Sequence, residues 1–208
     1  MPADLHLLLF TRFPQAGTTK TRLIPLLGAE GAATLQKELT EKIADEIQVL
    51  KRQLDIKSSV YFCGGNTNKM RKWLGNSFDY TEQPAGDIGR KMRLGFTMSF
   101  HNGAQSTILI GSDIPDLSAD IIKQGYHCLK NSEIVIGPSK DGGYYLIGCT
   151  AKHQHHLLPL LFDNMSWSNS EVLSITVDRL ETQGITYTLL EVLQDIDCPQ
   201  DIVSANKK

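Results

Sequence analysis

Ser106-Thr-Ile-Leu-Ile-Gly-Ser-Asp-Ile-Pro-Asp-Leu117 carries four β-favouring residues, Thr107 to Ile110, that run into Gly111 and stop at Ser112-Asp113. A continuous apolar run this short, ended by small and polar residues, predicts a strand buried on both faces. Pro115, Asp116, Leu117 and Ser118 follow, and an amphipathic segment begins near Ala119. Asp113 is thereby placed at the carboxyl end of a central strand, where open α/β sheets bind their ligands. Asp113 or Asp116 could instead cap the next helix. Ser118 can supply that cap, which leaves Asp113 for a site.

Upstream, Leu5 to Thr11 predicts another buried strand. It leads into a loop holding Arg12, Gly17, Lys20 and Arg22 among Pro14, Thr18, Thr19 and Thr21. Backbone N–H groups of such a loop can cradle phosphate oxygens while Lys and Arg neutralise them. It is not a Walker sequence, and a solvated basic loop accounts for the same composition. Leu35, Leu39, Ile43, Ile47, Leu50 and Leu54 predict one apolar face of a long helix starting after Gly28. Strands are expected at Ser58–Phe62 and Ser77–Thr81, with a short helix at Asn66–Trp73 in which Trp73 packs. A Gly-rich loop from Gln83 to Arg90 then opens a helix on Met92, Leu94, Phe96 and Phe100. Asp87 or Arg90 could touch a ligand there, and a helix entry needing a turn explains the same residues.

Downstream, a helix over Ile121–Lys130 and a strand over Glu133–Ile136 precede Asp141-Gly142-Gly143. That turn signal is followed by a strand from Tyr144 to Ile147. A plain hairpin accounts for it, yet paired glycines beside an aspartate also let a backbone approach a ligand closely. His153-Gln-His155-His156 lacks a second cluster to complete a metal site and reads as a surface loop. After Trp167, Ser168 or Ser170 is expected to cap a helix on Val172, Ile175, Val177 and Leu180, before a strand over Ile185–Leu190. Asp195 and Asp197 then stand two apart, on the same side of an extended segment. Such a pair can grip a hard divalent cation together with phosphate oxygens. Capping of a final helix, Pro199 to Ser204, would occupy Asp197 alone.

At 208 residues the chain is expected to form one domain, and its net charge of −2 leaves no electrostatic footprint for nucleic acid. No apolar run approaches the roughly 20 residues of a membrane span. The start of the chain reads as a first strand rather than a signal peptide. Cys63, Cys128, Cys149 and Cys198 are scattered without a Cys-x-x-Cys pair and read as reduced thiols, which suits a cytoplasmic protein. Strands alternating with helical patterns predict an α/β fold around a mostly parallel sheet.

Four segments together carry a resemblance. They are Phe10-Thr-Arg12-x-Pro14-x-x-Gly17-x-x-Lys20-Thr-Arg22-Leu23, Gly111-Ser-Asp113-Ile-Pro115-Asp116-Leu117, Asp141-Gly-Gly-Tyr-Tyr-Leu-Ile-Gly148, and Trp167-Ser168 with Asp195-Ile-Asp197. From about Leu7 to Asp201 the chain resembles bacterial glycosyltransferases of the radical-SAM/selenodomain-associated, arsenosugar-biosynthesis type. The resemblance implies a three-layer α/β/α fold of the GT-A, nucleotide-diphospho-sugar transferase type. The chain is also similar to the guanylyltransferases of deazaflavin-cofactor synthesis, whose Lys-Ser/Thr-Arg-Leu stretch and magnesium-holding Asp-x-Asp match Lys20-Thr21-Arg22-Leu23 and Asp195-Ile-Asp197. The family's Asp-Leu-Gly-Glu-Arg-Met stands here as Asp87-Ile-Gly-Arg-Lys-Met92, without the glutamate.

The resemblance and the residues together imply a metal-dependent transfer. Arg12, Gly17, Lys20, Arg22 and Asp87 would bind the nucleotide, and Asp113, Asp195 and Asp197 would hold Mg2+ or Mn2+. Gly142, Gly143, Tyr144 and Trp167 would line the acceptor side, with Asp141 as general base and Asp113 at the reacting centre. The expected partners are a nucleotide-sugar or NTP and a small-molecule acceptor. Glycosyl transfer is expected first, nucleotidyl transfer second and a non-catalytic nucleotide-binding module third. An NAD-type Rossmann protein is disfavoured because the first loop lacks Gly-x-Gly-x-x-Gly.

Overall fold

In the computed structural model, which describes residues 4–167 and 169–205, strands and helices alternate along most of the chain. Among the described residues seven strands form one sheet: β1 (Leu5–Arg12), β2 (Ile56–Cys63), β3 (Asp79–Glu82), β4 (Ser106–Gly111), β5 (Ile134–Pro138), β6 (Tyr144–Thr150) and β7 (Tyr187–Leu189). Their order is β3-β2-β1-β4-β6-β5-β7. β6 runs antiparallel to β4 and β5, and every other pairing is parallel. The helices are α1 (Ile24–Gln53), α2 (Thr67–Leu74), α3 (Ile88–His101), α4 (Ala119–Cys128), α5 (Gln154–Phe162), α6 (Val172–Thr182) and α7 (Pro199–Ala205).

The unbroken apolar runs of β1 and β4 follow from helices on both faces. Leu5, Leu7 and Leu9 pack with Ile43, Ile47 and Leu50 of α1 and Ile122 of α4. Leu8 and Phe10, one residue out of phase, pack with Met92, Phe96 and Phe100 of α3 and with Leu157 and Leu161 of α5. Alternation of side chains along a strand sends successive residues to opposite layers. The result is the three-layer α/β/α arrangement with a mostly parallel sheet.

Three local expectations change. The first long helix begins at Ile24, with Pro25 in its first turn, and Gly28 (φ 71°, ψ 169°) interrupts its helical geometry rather than preceding it. His153–His156 is not a loop, because a single 3-10 turn at Ala151–His153 leads directly into α5. Leu157, Leu158, Leu161 and Phe162 bury one face of that helix, while Pro159 and the pair His155-His156 within it disguise the pattern. Ser170 does not cap α6. Glu171 occupies that position without a side-chain bond, and the Glu171 N–H donates to Asn169 Oδ1 at 2.8 Å. Ser168 lies outside the described residues.

Under the sheet, His6 is buried between two hydroxyls. Its Nε2 lies 2.8 Å from Ser59 Oγ, and its Nδ1 lies 2.8 Å from Ser99 Oγ, which in turn contacts Thr107 Oγ1 at 2.6 Å. Burial, reinforced by the Lys57 charge and opposed by Asp79, lowers the His6 pKa from 6.5 to about 4. The unfolded chain therefore takes up a proton below pH 6.5 that the folded chain refuses. Stability is complete above that pH and falls as the pH drops toward 4, by about 3 kcal/mol from this group. The difference between urea titrations of the parent and of a His6→Gln variant, taken from pH 7 to pH 4.5, is expected to show this slope, because the raised Asp195 pKa acts in the opposite direction in both. An unchanged slope in the variant would show that His6 is not the group responsible.

Candidate active site

β1 is flanked on one side by β2 and on the other by β4, both parallel to it, so the direction of crossover reverses between β1 and β4. Open α/β sheets bind ligands at such a switch point, beyond the carboxyl ends of the strands. Arg12 ends β1 there, and Gly111-Ser112-Asp113 ends β4.

A buried polar quartet fixes this edge. Gln36 Nε2 donates to Thr40 Oγ1 and Ser112 Oγ, each at 3.0 Å. Thr11 Oγ1 lies 2.9 Å from Thr40 Oγ1 and 3.0 Å from Ser112 Oγ. α1 is thus tied to the ends of both central strands, directly beside Asp113.

The loop after β1 is knitted internally. Thr19 Oγ1 donates to Phe13 O and accepts from the Gln15 N–H, both at 3.1 Å. Lys20 then takes a left-handed conformation (φ 45°) that carries its side chain inward. The side chain is 2% exposed, with Nζ 2.6 Å from Asp113 Oδ1 and donating to Ile196 O at 2.6 Å. Ile196 N–H donates back to Asp113 O at 2.9 Å. Arg22, on the surface, holds Asp197 Oδ2 at 2.7 Å. Two of the cations and two of the carboxylates singled out in the sequence therefore meet as pairs.

Asp195 belongs to a different group. Leu193 bridges Ser139 in parallel fashion, which lays the Asp195–Asp197 segment beside the Asp141 turn. Burial, followed by the charges of Asp141, Asp201 and Asp197, pushes the half-buried Asp195 carboxyl up to about 6. Asp201, not Asp197, serves the start of the last helix. Its Oδ2 accepts the N–H groups of Asp197 (3.0 Å) and Cys198 (2.7 Å).

Asp141 is held by its own turn, its Oδ1 accepting the Gly143 N–H at 2.9 Å and the Ser139 hydroxyl. The close backbone approach expected of the glycine pair is made by this chain itself. A Cβ on Gly142 (φ +88°) would lie 2.0 Å from Ser170 O, and Leu173 N–H donates to Gly142 O at 2.9 Å. Gly89 likewise makes way for Trp167, whose Nε1 would stand 2.3 Å from any Cβ there.

Two cavities open along this edge. One, of about 490 Å³, is walled by Tyr144, Trp167, Met92 and Val172 on its apolar side and by Asp141 and Asn169 on its polar side. The other, of about 320 Å³, holds Arg12, Lys20, Ser112 and Asp113. Both reach Ile88 and Asp197. Gly17, Asp87, Gly142 and Asp195 line neither. Gly17 (φ 79°) turns the loop, and Asp87 Oδ1 caps α3 by accepting the Arg90 N–H at 2.8 Å. Gln83 and Ile88 line the smaller cavity without having been singled out in the sequence. Gln83 is fixed there because Nε2 donates to Tyr61 O at 3.0 Å and Thr11 O at 3.4 Å.

Hard oxygen donors such as Asp195, whose carboxyl pKa is raised by burial and by the neighbouring carboxylates, suit a divalent cation in chemistry. Their present arrangement is not a finished cage. Among the described residues no three His, Cys, Asp or Glu side chains are grouped to hold a metal ion, and Asp113 and Asp197 each face a cationic side chain instead. Among the described residues no helix is long and apolar enough to cross a membrane.

Comparison with solved structures places the fold. A Desulfovibrio desulfuricans G20 protein, provisionally assigned as a nucleotide-diphospho-sugar transferase, is 28% identical with a TM-score of 0.85, over 96% of this chain and 85% of that one. A nucleotidyl transferase from Methanothermobacter has a TM-score of 0.65 at 14% identity, over 98% and 96% of the two chains. A Mycobacterium tuberculosis H37Rv protein solved with manganese has a TM-score of 0.56 at 13% identity, over 99% of each. The last two share the fold, and their ligands are their own. No curated protein matches the chain. Residues 46–169, more than half of the sequence, match the family DUF2064, described as "Uncharacterized protein conserved in bacteria", and the chain belongs to that family.

Proposed function

We propose that this protein is a metal-dependent glycosyltransferase that moves a sugar from a nucleotide-diphospho-sugar to a small acceptor. The observation that carries the reading is the pairing of phosphate-binding and metal-binding residue types at one switch point, Lys20 with Asp113 and Arg22 with Asp197. A diphosphate with its metal ion offers each member of these pairs a new partner of the right sign. Lys20 and Arg22, joined by Arg12 from the end of β1, turn to the phosphate oxygens. Asp113, Asp195 and Asp197 would hold Mg2+ or Mn2+. The bound ion would supply Lewis-acid neutralisation of the charge that develops on the departing nucleotide. Asp141, oriented by Ser139 and the Gly143 N–H, takes the proton of the acceptor hydroxyl as general base. Gly143, Tyr144 and Trp167 shape the acceptor cavity, while Gly17, Gly142 and Asp87 support the loops around it.

Nucleotidyl transfer is the second reading. It is favoured by the shared fold of the Methanothermobacter enzyme and by the same charged pairs, which suit an NTP as well as a nucleotide-sugar. Thermal unfolding against UDP-sugars, GDP-sugars and the four NTPs, each with and without Mn2+ or Mg2+, separates these. A ligand at a hundredfold excess over its dissociation constant stabilises by about 2.7 kcal/mol, a rise of roughly 5 to 10 °C for a chain of this size. A metal-dependent rise with a nucleotide-sugar is expected. A rise with an NTP alone would move the assignment to nucleotidyl transfer, and none at all would refute both.

A further inference from the structure

We propose that the larger cavity takes an uncharged, hydroxyl-bearing ring compound as acceptor, its C–H face seated on Trp167, and turns away phosphorylated acids. This rests on the transferase reading above and names the class of molecule that receives the transferred group.

Three features carry it. First, Trp167 is a fixed platform at the cavity wall. Phe162 lies 6.4 Å from its ring centre at 30°, Tyr144 meets it edge-on at 6.4 Å, and Gly89 backs the indole so closely that no Cβ fits between. An aromatic face held from behind offers apolar area to one side of a flat or puckered ring.

Second, the cavity holds two carboxylates, Asp141 and Asp197, against the single cation Arg22, which Asp197 engages in the empty site and the nucleotide phosphates would engage in the loaded one. Lys20, Arg93 and Arg179 are committed elsewhere. Lys20 faces Asp113 and Ile196 O, and Arg93 pairs with Asp163. Arg179 spends its guanidinium on the carbonyls of Leu160, Asp163 and Asn164. A phosphate or carboxylate entering here would meet two carboxylates and one cation in the cavity wall, a net charge of its own sign. The smaller cavity, with Arg12 and Lys20, is where anionic groups belong.

Third, the excess negative charge is too well satisfied to call for an ammonium group. Asp141 Oδ1 already accepts two hydrogen bonds and Asp197 has its arginine. The remaining lone pairs and the Asn169 and Ser139 groups suit hydroxyls that both donate and accept.

The test uses three probes that share one ring and differ in charge: methyl glucoside, glucosamine and glucose 6-phosphate. Binding to the full chain is read by saturation-transfer NMR and calorimetry without nucleotide. Methyl glucoside is expected to bind most tightly, with saturation reaching its ring protons, and glucose 6-phosphate at least tenfold more weakly. Trp167→Leu, which keeps bulk but removes the π face, is expected to lose at least fivefold in methyl glucoside affinity, while Trp73→Phe leaves it unchanged. Equal or tighter binding of glucose 6-phosphate or of glucosamine overturns the proposal. So does a methyl glucoside affinity indifferent to Trp167→Leu, or no binding of any probe. Should Trp167→Leu not fold, the order of the three probes on the unaltered chain decides alone. Because no nucleotide is present, an inverted order sinks this assignment and leaves the transferase reading standing. Absence of nucleotide binding removes the transferase reading and with it the role of acceptor, whatever the order of the probes.

Discussion

A Gly142→Ala protein is expected to unfold roughly 4 to 12 °C below the parent, whereas Gly143→Ala one residue on is expected to change little. The added methyl at Gly142 would stand 2.0 Å from the Ser170 carbonyl oxygen, an approach no side-chain rotation relieves because the obstacle is backbone. The residue also sits at φ +88°, which costs an alanine about 1 to 2 kcal/mol by itself. Moving Ser170 away breaks the Leu173 N–H to Gly142 O bond that starts α6, adding about 1 kcal/mol. Together these amount to about 2 to 3 kcal/mol. At Gly143 the nearest atoms to a Cβ are Asp141 Oδ1 at 3.3 Å and Ser139 Oγ at 3.4 Å, side-chain atoms that can yield. The same segment carries Asn169 and Trp167 on the cavity wall, so Gly142→Ala is also expected to loosen acceptor binding. Equal melting temperatures for the two variants would contradict this role for the Gly142 clasp.

The second large effect concerns Lys20. Lys20→Met is expected to weaken binding of a metal–nucleotide complex by about 10- to 100-fold, the worth of one hydrogen bond to a charged group. The cost to the empty protein is smaller, about 1 to 2 kcal/mol, because Asp113 is 45% exposed and water takes over part of the lost partner. The double variant Lys20→Met/Asp113→Asn separates the two roles. Removing the stranded carboxylate is expected to restore most of the stability and none of the nucleotide affinity. If Lys20→Met binds nucleotide as the parent does, Lys20 is a structural partner of Asp113 and Ile196 and nothing more.

Most of the architecture was legible in the sequence, for a physical reason. Strands with helices on both faces need apolar residues at every position, so Leu5–Phe10 and Thr107–Ile110 stand out as runs between polar breaks. The α5 helix was hidden because Pro159 interrupts its pattern and His153–His156 reads as surface. Within the site, Lys20, Arg22, Asp113 and Asp197 each announced themselves by type and neighbourhood. Their pairings did not, since nothing in a one-dimensional spacing says that Lys20 reaches Asp113 rather than solvent. Asp87 drew attention as the charged member of a Gly-rich loop, yet its carboxylate is used locally as a helix cap. The residues that face the cavity from that region are Gln83 and Ile88, one tied to backbone carbonyls and the other apolar. Short polar side chains serve caps as readily as ligands, and only the three-dimensional arrangement tells which.

The central claim is a sugar transfer in which the bond between the anomeric carbon and the nucleotide diphosphate breaks. Phosphorus NMR of reactions containing the protein, Mg2+, UDP- or GDP-sugars and methyl glucoside reads that event directly. The account predicts loss of the nucleotide-sugar resonances and growth of those of the free nucleoside diphosphate, dependent on the metal and abolished by Asp113→Asn. Release of pyrophosphate from an NTP, with every nucleotide-sugar left intact, would contradict it.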